Sequence, residues 1–514
     1  MFEFAKYRFF TYGGFSDIGA NTFKDCISLK FVDLSNLRYR EGYLKIGDGA
    51  FSGCTSLQSV VLPDSLDSKM YHEFTPFGSY VFSGCKSLSS ISGMPKGVKS
   101  VPDGFFANCT GLSSFDIPKT VKDIGQNAFS GCTSLSSIDL SEISEIGKGA
   151  FQNCTKLPRI SIPNADVGDW GFKNCTSLQF VNLYGIVGVS AFAGCANLTY
   201  VSVANRPGLR SDECIGDSAF YACKNISTVK FQDAAWREIG WCAFAECTSL
   251  SSINLECVYR IGSYAFKGCI KLGSVDIPNI ESIGDCAFLG CTDLASVNIL
   301  SGFRSTSIGY GCFKDCTKLQ SISIPKNVEK IGQSAFKGCT SLSSVVFPSR
   351  VNEISRIGHE TLGGCTSLST IDIPYPVNTI DMSAFADCTN LSSVSIPHSV
   401  REIGDGAFKN CTNLSEIYCL KTVPPAIYKT TFDDPNLATL YVPAGSEDSY
   451  RYSDWYLFST ILGIDPTGIN KTGMDRETVP LEYYGQDGLK LSNPQHGINI
   501  VRMNDGTTRK IYVE

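Results

Sequence analysis

The chain has 514 residues, of which 44 are Lys or Arg and 50 are Asp or Glu, so its formal net charge is −6. The basic residues form no long run, which argues against a nucleic-acid partner. No apolar stretch reaches the roughly 18 residues that a transmembrane helix needs, so we expect no membrane span in this chain. The first residues, MFEFAKYRFF, are too aromatic for a signal peptide, and no export signal is visible in the sequence.

One sequence pattern recurs along most of the chain. Residues 124–140 read IGQNAFSGCTSLSSIDL, and residues 331–347 read IGQSAFKGCTSLSSVVF. Alignment on the cysteine gives seventeen units with a mean spacing of about 24 residues, which is typical of a solenoid. The repeat cysteines are Cys26, Cys54, Cys85, Cys109, Cys132, Cys154, Cys175, Cys195, Cys223, Cys247, Cys269, Cys291, Cys316, Cys339, Cys365, Cys388 and Cys411.

The spacing around the cysteine predicts the shape of one unit. Phe stands three residues before it, except at Leu362, and Leu stands three residues after it, except at Ile226. Together with the preceding Ala, these positions predict one face of a short helix or helical turn. The apolar residues then change to period two, which is typical of a strand. We expect Gly125, Gly262 and Gly332, in the Ile-Gly pair, to form a sharp backbone corner.

The pattern IGxxAFxxCxxLxxIxIP closely resembles the BspA-like, treponemal-type leucine-rich repeat over roughly residues 15–460. The resemblance implies an α/β solenoid, a right-handed superhelix with a parallel sheet on its concave face. It also implies a bacterial cell-surface or secreted protein used in adhesion or ligand capture. Four stretches depart from the pattern, and we expect them to project as loops from one rim: Asp64–Phe77, Arg206–Cys214, Ser301–Ser307 and Arg350–Arg356.

The sequence predicts four segments. Residues 1–418 form the solenoid, and residues 419–464 form a capping unit in which Trp455 helps to cover the open end of the core. Residues 465–480 are polar and rich in Gly and Thr, which indicates a linker. Residues 481–514 alternate apolar and polar side chains around two Asp-Gly turns, so we expect a separable antiparallel hairpin module.

The C-terminal module resembles the sorting domains of bacterial proteins exported by the type IX route. The matching features are Tyr484, Gly488, Gly497 and the final strand from Lys510 to Val513. The resemblance implies export. A purely structural tail is the alternative interpretation.

Neither the cysteines nor the histidines indicate a metal site or a catalytic centre. Seventeen of the 23 cysteines occupy the repeat position, where a thiol behaves as a small apolar group, and no C-x-x-C pair occurs. We expect these thiols to be free, and we expect no metal and no cofactor. The histidines are scattered and no catalytic motif is present, so we expect no enzyme; they are His72, His359, His398 and His496.

The outward positions of the strands single out one candidate ligand site. Five and seven residues after the cysteine, most units carry Ser with Asp, Asn or Ser, but successive units break this pattern with large or basic side chains. Exposed aromatic residues on a small, polar surface indicate a binding patch. The alternative is that the loop at Arg206–Cys214 folds over them. The candidate residues are Arg159, Phe180, Asn182, Tyr200 and Lys230.

These observations favour a non-enzymatic binding or adhesion protein at the cell surface or secreted from it. Its concave face would hold a protein or glycan, such as a host matrix or cell-surface component. A second hypothesis is a structural spacer whose ends alone interact. A glycan-active enzyme ranks last because the sequence does not identify its acid and base carboxylates.

Overall fold

The computed structural model describes most of the repeat region and parts of the C-terminal segment. Within the described residues the chain is a parallel β-solenoid, as the sequence predicts. It divides into two compact units, which are described separately: Met1–Ile280 with Ala287–Thr292, and Glu281–Cys286 with Asp293–Glu514. The described residues are 9–10, 17–35, 45–62, 76–92, 94–95, 97–163, 165–204, 214–232, 238–300, 305–347, 354–464, 480–484, 490–491, 497–503 and 508–513.

Each coil contributes one strand to a ladder of parallel strands that we call the sheet ladder. Its strands alternate outward polar and inward apolar residues, as period two requires. In the first unit they are Phe9–Phe10, Phe31–Asp33, Ser59–Val61, Ser90–Ser92, Ser114–Phe115, Ser137–Ile138, Arg159–Ile162, Phe180–Tyr184, Tyr200–Ala204, Thr228–Gln232, Ser252–Ile253 and Ser274–Ile277. In the second unit they are Ser296–Ile299, Ser321–Ser323, Ser344–Val346, Thr370–Asp372, Ser393–Ile396, Glu416–Cys419, Thr439–Pro443 and Thr460–Ile464.

A second ladder of shorter parallel strands, the edge ladder, includes or immediately precedes the Ile-Gly pair of most coils. In the first unit its strands are Asp17–Ile18, Lys45–Ile46, Ser100–Val101, Asp123–Ile124, Glu145–Ile146, Asp166–Val167, Cys214–Ile215, Glu238–Ile239 and Arg260–Ile261. In the second unit they are Ser282–Ile283, Thr306–Ile308, Val328–Ile331, Arg356–Ile357, Thr379–Ile380 and Glu402–Ile403. The coil at Val187 joins the ladder through single parallel bridges.

The predicted helical segment before the cysteine is wrong, and the fold is mostly β rather than α/β. Asn127 and Gly131 adopt left-handed φ angles of 53° and 74°, which a right-handed helix excludes. Alternate N–H groups also leave the coil: Phe129 N–H donates to Ala150 of the next coil, while Ser130 N–H donates back to Asn127. The segment is therefore a chain of tight turns hydrogen-bonded to its neighbour. Among the described residues the one α-helix is Glu447–Arg451.

The core is a stack of identical side chains. The rings of Phe129, Phe151, Phe172 and Phe192 lie parallel, with centroids 5.1, 4.9 and 5.3 Å apart in that order. Each phenylalanine is fully buried, as are the cysteine and leucine of its coil. Because similar apolar groups meet in successive coils, burial stabilises the stack only when several coils are present.

The glycines of the Ile-Gly pair lie between an edge strand and the following turns, but they need no left-handed backbone. Gly125, Gly262 and Gly332 have no left-handed φ angle. A Cβ atom on Gly262 would lie 2.7 Å from the carbonyl carbon of Gly240, and one on Gly332 would lie 2.4 Å from that of Gly309. Glycine is needed because successive coils approach each other too closely for a side chain.

The C-terminal end of the second unit closes the core with large aromatic residues. Trp455 and Tyr450 are fully buried, and Trp455 Nε1 donates a hydrogen bond of 2.8 Å to the carbonyl oxygen of Pro425. The Tyr450 hydroxyl donates to the carbonyl oxygen of Lys421 at 2.6 Å. Two 3₁₀ helices accompany the α-helix, at Pro435–Leu437 and Asp454–Leu457.

The C-terminal segment contains an antiparallel sheet. Its strands lie in the spatial order Lys490–Leu491, Pro480–Tyr484, Gly497–Met503 and Thr508–Val513. Lys510 Nζ lies 3.9 Å from an oxygen of Asp372 on the sheet ladder. The predicted linker lies largely outside the described residues, as do most of the four predicted insertions. None of the helices in the described part of the chain has the length and apolar character needed to span a membrane.

Candidate ligand-binding site on the sheet ladder

The strands of the first unit place four of the five candidate side chains on the outer surface. In Arg159–Ile162 the residues alternate exposed and buried, so Arg159 points outward while Ile160 and Ile162 enter the core. Phe180 is 42% exposed, and Asn182 and Lys230 are also exposed. Tyr200 is half-buried.

Strand register arranges the candidate residues in two parallel rows. In one row Arg159 pairs with Phe180, and Phe180 pairs with Tyr200. In the other row Asn182 pairs with Ser202, and Ser202 pairs with Lys230. We call Arg159, Phe180, Asn182, Tyr200 and Lys230 the sheet patch. It spans four adjacent strands and brings all five predicted residues onto one surface.

A cation and an aromatic ring are already in contact within the sheet patch. The guanidinium carbon of Arg159 lies 5.3 Å from the centroid of the Phe180 ring, within cation–π range. This contact keeps the guanidinium beside the ring. An anion at this place would meet a positive charge next to a flat apolar surface.

The loop invoked in the alternative interpretation, Arg206–Cys214, lies almost wholly outside the described residues. Ser202, between Asn182 and Lys230, is only 6% exposed. Phe180 and Lys230 on either side of it are exposed. Arg159, Phe180 and Lys230 are therefore open to solvent, whereas Tyr200 is half-buried and Ser202 is buried.

Ser136 and Asp139, which stand four and seven residues after their repeat cysteine, have structural roles. The Ser136 hydroxyl donates to the carbonyl oxygen of Ser113 in the preceding coil, at 3.2 Å. Asp139 accepts a hydrogen bond from the backbone N–H of Ser141, which lowers the pKa of the Asp139 carboxyl. These bonds join or terminate strands, so the abundance of serine does not indicate catalysis.

A second aromatic group on the sheet ladder was missed by the sequence analysis. In the second unit Tyr418 and Tyr441 stack with ring centroids 4.6 Å apart, and Leu462 follows in the same row with 46% exposure. The Tyr418 hydroxyl lies 3.2 Å from Glu416, and burial, followed by Glu416, raises the pKa of Tyr418. Tyr418 stands seven residues after Cys411, so the repeat spacing alone predicts that its side chain points outward.

The histidines that the structure describes do not meet. His359 Nδ1 lies 2.8 Å from the carbonyl oxygen of Met382, and its Nε2 lies 3.9 Å from Glu360. His398 stacks on Tyr375. His72 and His496 lie outside the described residues. Within the described part of the chain no group of three His, Cys, Asp or Glu side chains is placed to hold a metal ion.

Comparison with family models identifies the repeat. The BspA type leucine-rich repeat region matches in six copies, which together extend from residue 16 to residue 453. The matched ranges are 16–76, 75–199, 185–306, 259–356 and 352–453. The chain belongs to the BspA-type leucine-rich repeat family. The family match confirms the resemblance seen in the sequence.

Several solved structures are similar to this BspA-type protein. A leucine-rich repeat protein from Bacteroides ovatus is 25% identical with a TM-score of 0.48, and the match covers 80% of this chain and 92% of that chain. A leucine-rich cell surface protein from Faecalibacterium prausnitzii is 25% identical with a TM-score of 0.35, covering 70% and 87%. The pneumococcal vaccine antigen PcpA is 17% identical with a TM-score of 0.34, covering 79% and 89%. The search of curated proteins gave no match.

Proposed function

We propose that this BspA-type protein is a non-enzymatic binding protein that acts at or outside a bacterial cell surface. In this proposal the sheet patch holds an acidic protein or glycan. Family membership supports a binding role, because leucine-rich solenoids present extended surfaces to their partners. The resemblance of the C-terminal segment to sorting domains supports export.

The observation that carries the proposal is the row Arg159, Phe180 and Tyr200. Apart from Phe31 and Glu416, the equivalent positions of other coils hold small side chains such as Ser114 and Ser137, which contribute little to binding energy. Aromatic and Arg residues dominate binding energy in protein interfaces. With its positive charge, the patch favours a carboxylate-bearing partner over a basic one.

The sheet patch is unlike a glycosidase centre. Its five residues include no carboxylate, whereas most glycoside hydrolases use two. A uniform spacer would not need an exposed aromatic row confined to neighbouring coils. These two points support the binding role over enzyme and spacer alternatives.

An array of extracellular matrix proteins and of neutral and acidic glycans tests the proposal. The parent should bind a carboxylated or sulfated member, and binding should weaken as salt rises because the attraction is electrostatic. The Phe180→Ser/Tyr200→Ser double variant should lose that signal while keeping the melting temperature of the parent. Equal binding by parent and variant would contradict the proposal, and so would binding confined to basic partners.

A further inference from the structure

The edge ladder carries two outward columns of mostly polar side chains, and the coil at Val187 has apolar residues in both. Asp123, Glu145 and Asp166 stand side by side in the first column. The bridge between Val167 and Val187 places Ile186 next in that column. Ile186 is 45% exposed. The three residues before it in the column are acidic.

The second column follows the glycine of each coil. Lys148 and Asp169 occupy it in two successive coils, and Val189 occupies it in the next, with 41% of its side chain exposed. The second column also holds the exposed side chains of Trp241, Tyr310 and Met382 in other coils. Neither apolar residue of the Val187 coil is required by the fold, because Asp166 and Asp169 fill the same places in the preceding coil. Two exposed apolar residues therefore project from one turn of the edge ladder.

Trp170 lies against this turn in an unfavourable backbone conformation. Its φ angle is 58°, and its indole is 38% exposed. The same position holds Asn127, Gly149 and Ser190 in other coils, and Asn and Gly tolerate a left-handed φ best. The backbone N–H of Trp170 donates to the carbonyl oxygen of Val189 at 2.8 Å, so the indole and the apolar turn belong to adjacent coils.

The contacts of Trp170 distinguish it from other aromatic residues with left-handed φ angles. The ring of Tyr80 covers Gly104, and Tyr264 makes an edge contact with Trp241. The rings of Tyr80 and Tyr264 thus pack against other residues of the protein.

Trp170 instead meets two ammonium groups. Lys148 Nζ lies 4.4 Å from its ring centroid and Lys173 Nζ lies 6.0 Å away. A left-handed φ is common to this position in the other described coils, so the pair of ammonium groups beside an exposed ring is what sets Trp170 apart.

We infer that Trp170, Ile186 and Val189, flanked by Lys148 and Lys173, form a second contact surface, which we call the edge patch. Its occupant is a polypeptide that presents an apolar side chain beside a carboxylate. The lysines supply charge complementary to the carboxylate, while the neighbouring carboxylates of Asp166 and Asp169 already accept the backbone N–H groups of Ile186 and Val189. Exposed Ile and Val favour an apolar side chain over a sugar ring, whose hydroxyl groups lose hydration against aliphatic carbon.

This inference rests on the proposed function and extends it to a named class of partner. Trp170 and Phe180 belong to one coil, and Val189 and Tyr200 belong to the next. The same two coils thus depart from the repeat on both ladders. One polypeptide that bends around these coils would contact the sheet patch and the edge patch together.

The test uses phage-displayed random peptides selected on the full-length parent. The selected peptides should be enriched in Asp or Glu next to Leu, Phe or Trp, and one of them is then synthesised for affinity measurements. The edge variant is Trp170→Asn/Val189→Asp, which restores residues typical of neighbouring coils. It should unfold at the same or a higher temperature than the parent, because Asn relieves the left-handed strain. It should bind the peptide at least about tenfold more weakly.

Comparison with the sheet variant Phe180→Ser/Tyr200→Ser separates the two ideas. Weaker binding by both variants supports both patches. Weaker binding by the edge variant alone supports the edge patch and contradicts the proposed role of the sheet patch. Weaker binding by the sheet variant alone overturns the edge patch.

Three other results would also overturn the inference. One is a lower melting temperature of the edge variant, which would make Trp170 structural. Another is failure of the parent to select acidic, apolar peptides. The third is loss of heparin oligosaccharide binding by the edge variant while its peptide binding is unchanged. That result would assign the patch to an anionic glycan.

Discussion

The thiol of Cys132 donates a hydrogen bond to the backbone carbonyl oxygen of Phe106 in the preceding coil, with 3.1 Å between sulfur and oxygen. The same oxygen accepts the backbone N–H of Cys109. The bond recurs in both units, for example from Cys388 to the carbonyl oxygen of Leu362. Cysteine suits the repeat because it fills a small apolar space and also satisfies a buried acceptor.

Because of these buried thiols, the free energy of unfolding should fall at alkaline pH. Burial raises the pKa of Cys132 from 9.0 to about 12. The folded state therefore keeps a proton that the unfolded state loses, so this contribution is fully present below pH 9 and is lost as the pH rises towards 12.

Urea unfolding at several pH values between about 8 and 11 checks this prediction. Above pH 9 the parent should lose about 1.4 kcal/mol per pH unit more than Cys132→Ala, which lacks the titrating group. The variant also removes a core atom, so the slope with pH is compared rather than the stability at one pH. Equal slopes for parent and variant would contradict the protonated, buried thiol.

The close approach of coils predicts a position-specific cost of adding one methyl group. Gly262→Ala places Cβ 2.7 Å from the Gly240 backbone, so the coils must separate locally. We expect a loss of about 1–3 kcal/mol in the free energy of unfolding, as in other overpacked sites. Gly273→Ala is the matched control, because nothing lies within 4 Å of its added Cβ. If the two variants have the same melting temperature, close coil contact is not the reason for glycine.

The capping coil leaves a cavity that a larger side chain should fill. Leu414 and Ala438 stand six residues after the bridged pair Phe408 and Phe432, although the strand register between Glu416 and Thr439 sets Leu437 opposite Leu414. Beside Ala438 lies a pocket of about 190 Å³ that is partly open to the surface. Its lining includes Phe408, Leu414, Ile417, Phe432, Ala438 and Phe458.

Ala438→Leu should therefore raise the free energy of unfolding by about 0.5–2 kcal/mol, the usual gain from filling a cavity. Leu414→Ala enlarges the same space and should cost about 2–5 kcal/mol. Denaturant titration of both variants checks the pair. A loss of stability in Ala438→Leu would show that the cavity cannot accept the side chain.

The C-terminal sheet should contribute little to the stability of the solenoid. The pair between Lys510 and Asp372 is partly exposed, and such pairs contribute about 0–1 kcal/mol. We therefore expect a chain ending at Ile464 to melt within a few degrees of the full chain, since Trp455 still covers the core. Calorimetry of the two proteins checks this prediction. A markedly lower melting temperature of the shortened chain would show that the sheet supports the last coils.

The solenoid and its outward positions were predictable because period and alternation depend on residue type alone. Phe180 could be placed beside Tyr200 since both stand five residues after a repeat cysteine. The tight turns were missed, although Gly131 and Asn153 immediately before the cysteine signal a left-handed backbone.

Other features depended on contacts between coils, which one repeat does not reveal. Gly262 could not be explained until the Gly240 backbone was seen beside it. The edge patch was not predictable from strand alternation, because Trp170 and Val189 precede the repeat cysteine and lie outside the strands that follow it. Tyr441 was missed because the capping coil has Pro435 where the alignment requires cysteine.

Hydroxyl-radical footprinting with a bound partner tests the sheet patch most directly, since it reads exposed side chains. Phe180 is 42% exposed in the free protein, so radicals should oxidise it, and Tyr452 at 90% exposure serves as the internal control. Partner binding should protect Phe180 and Tyr200 and leave Tyr452 unchanged, because the aromatic row lies in the proposed interface. Unchanged oxidation of Phe180 and Tyr200 at saturating partner would contradict the account.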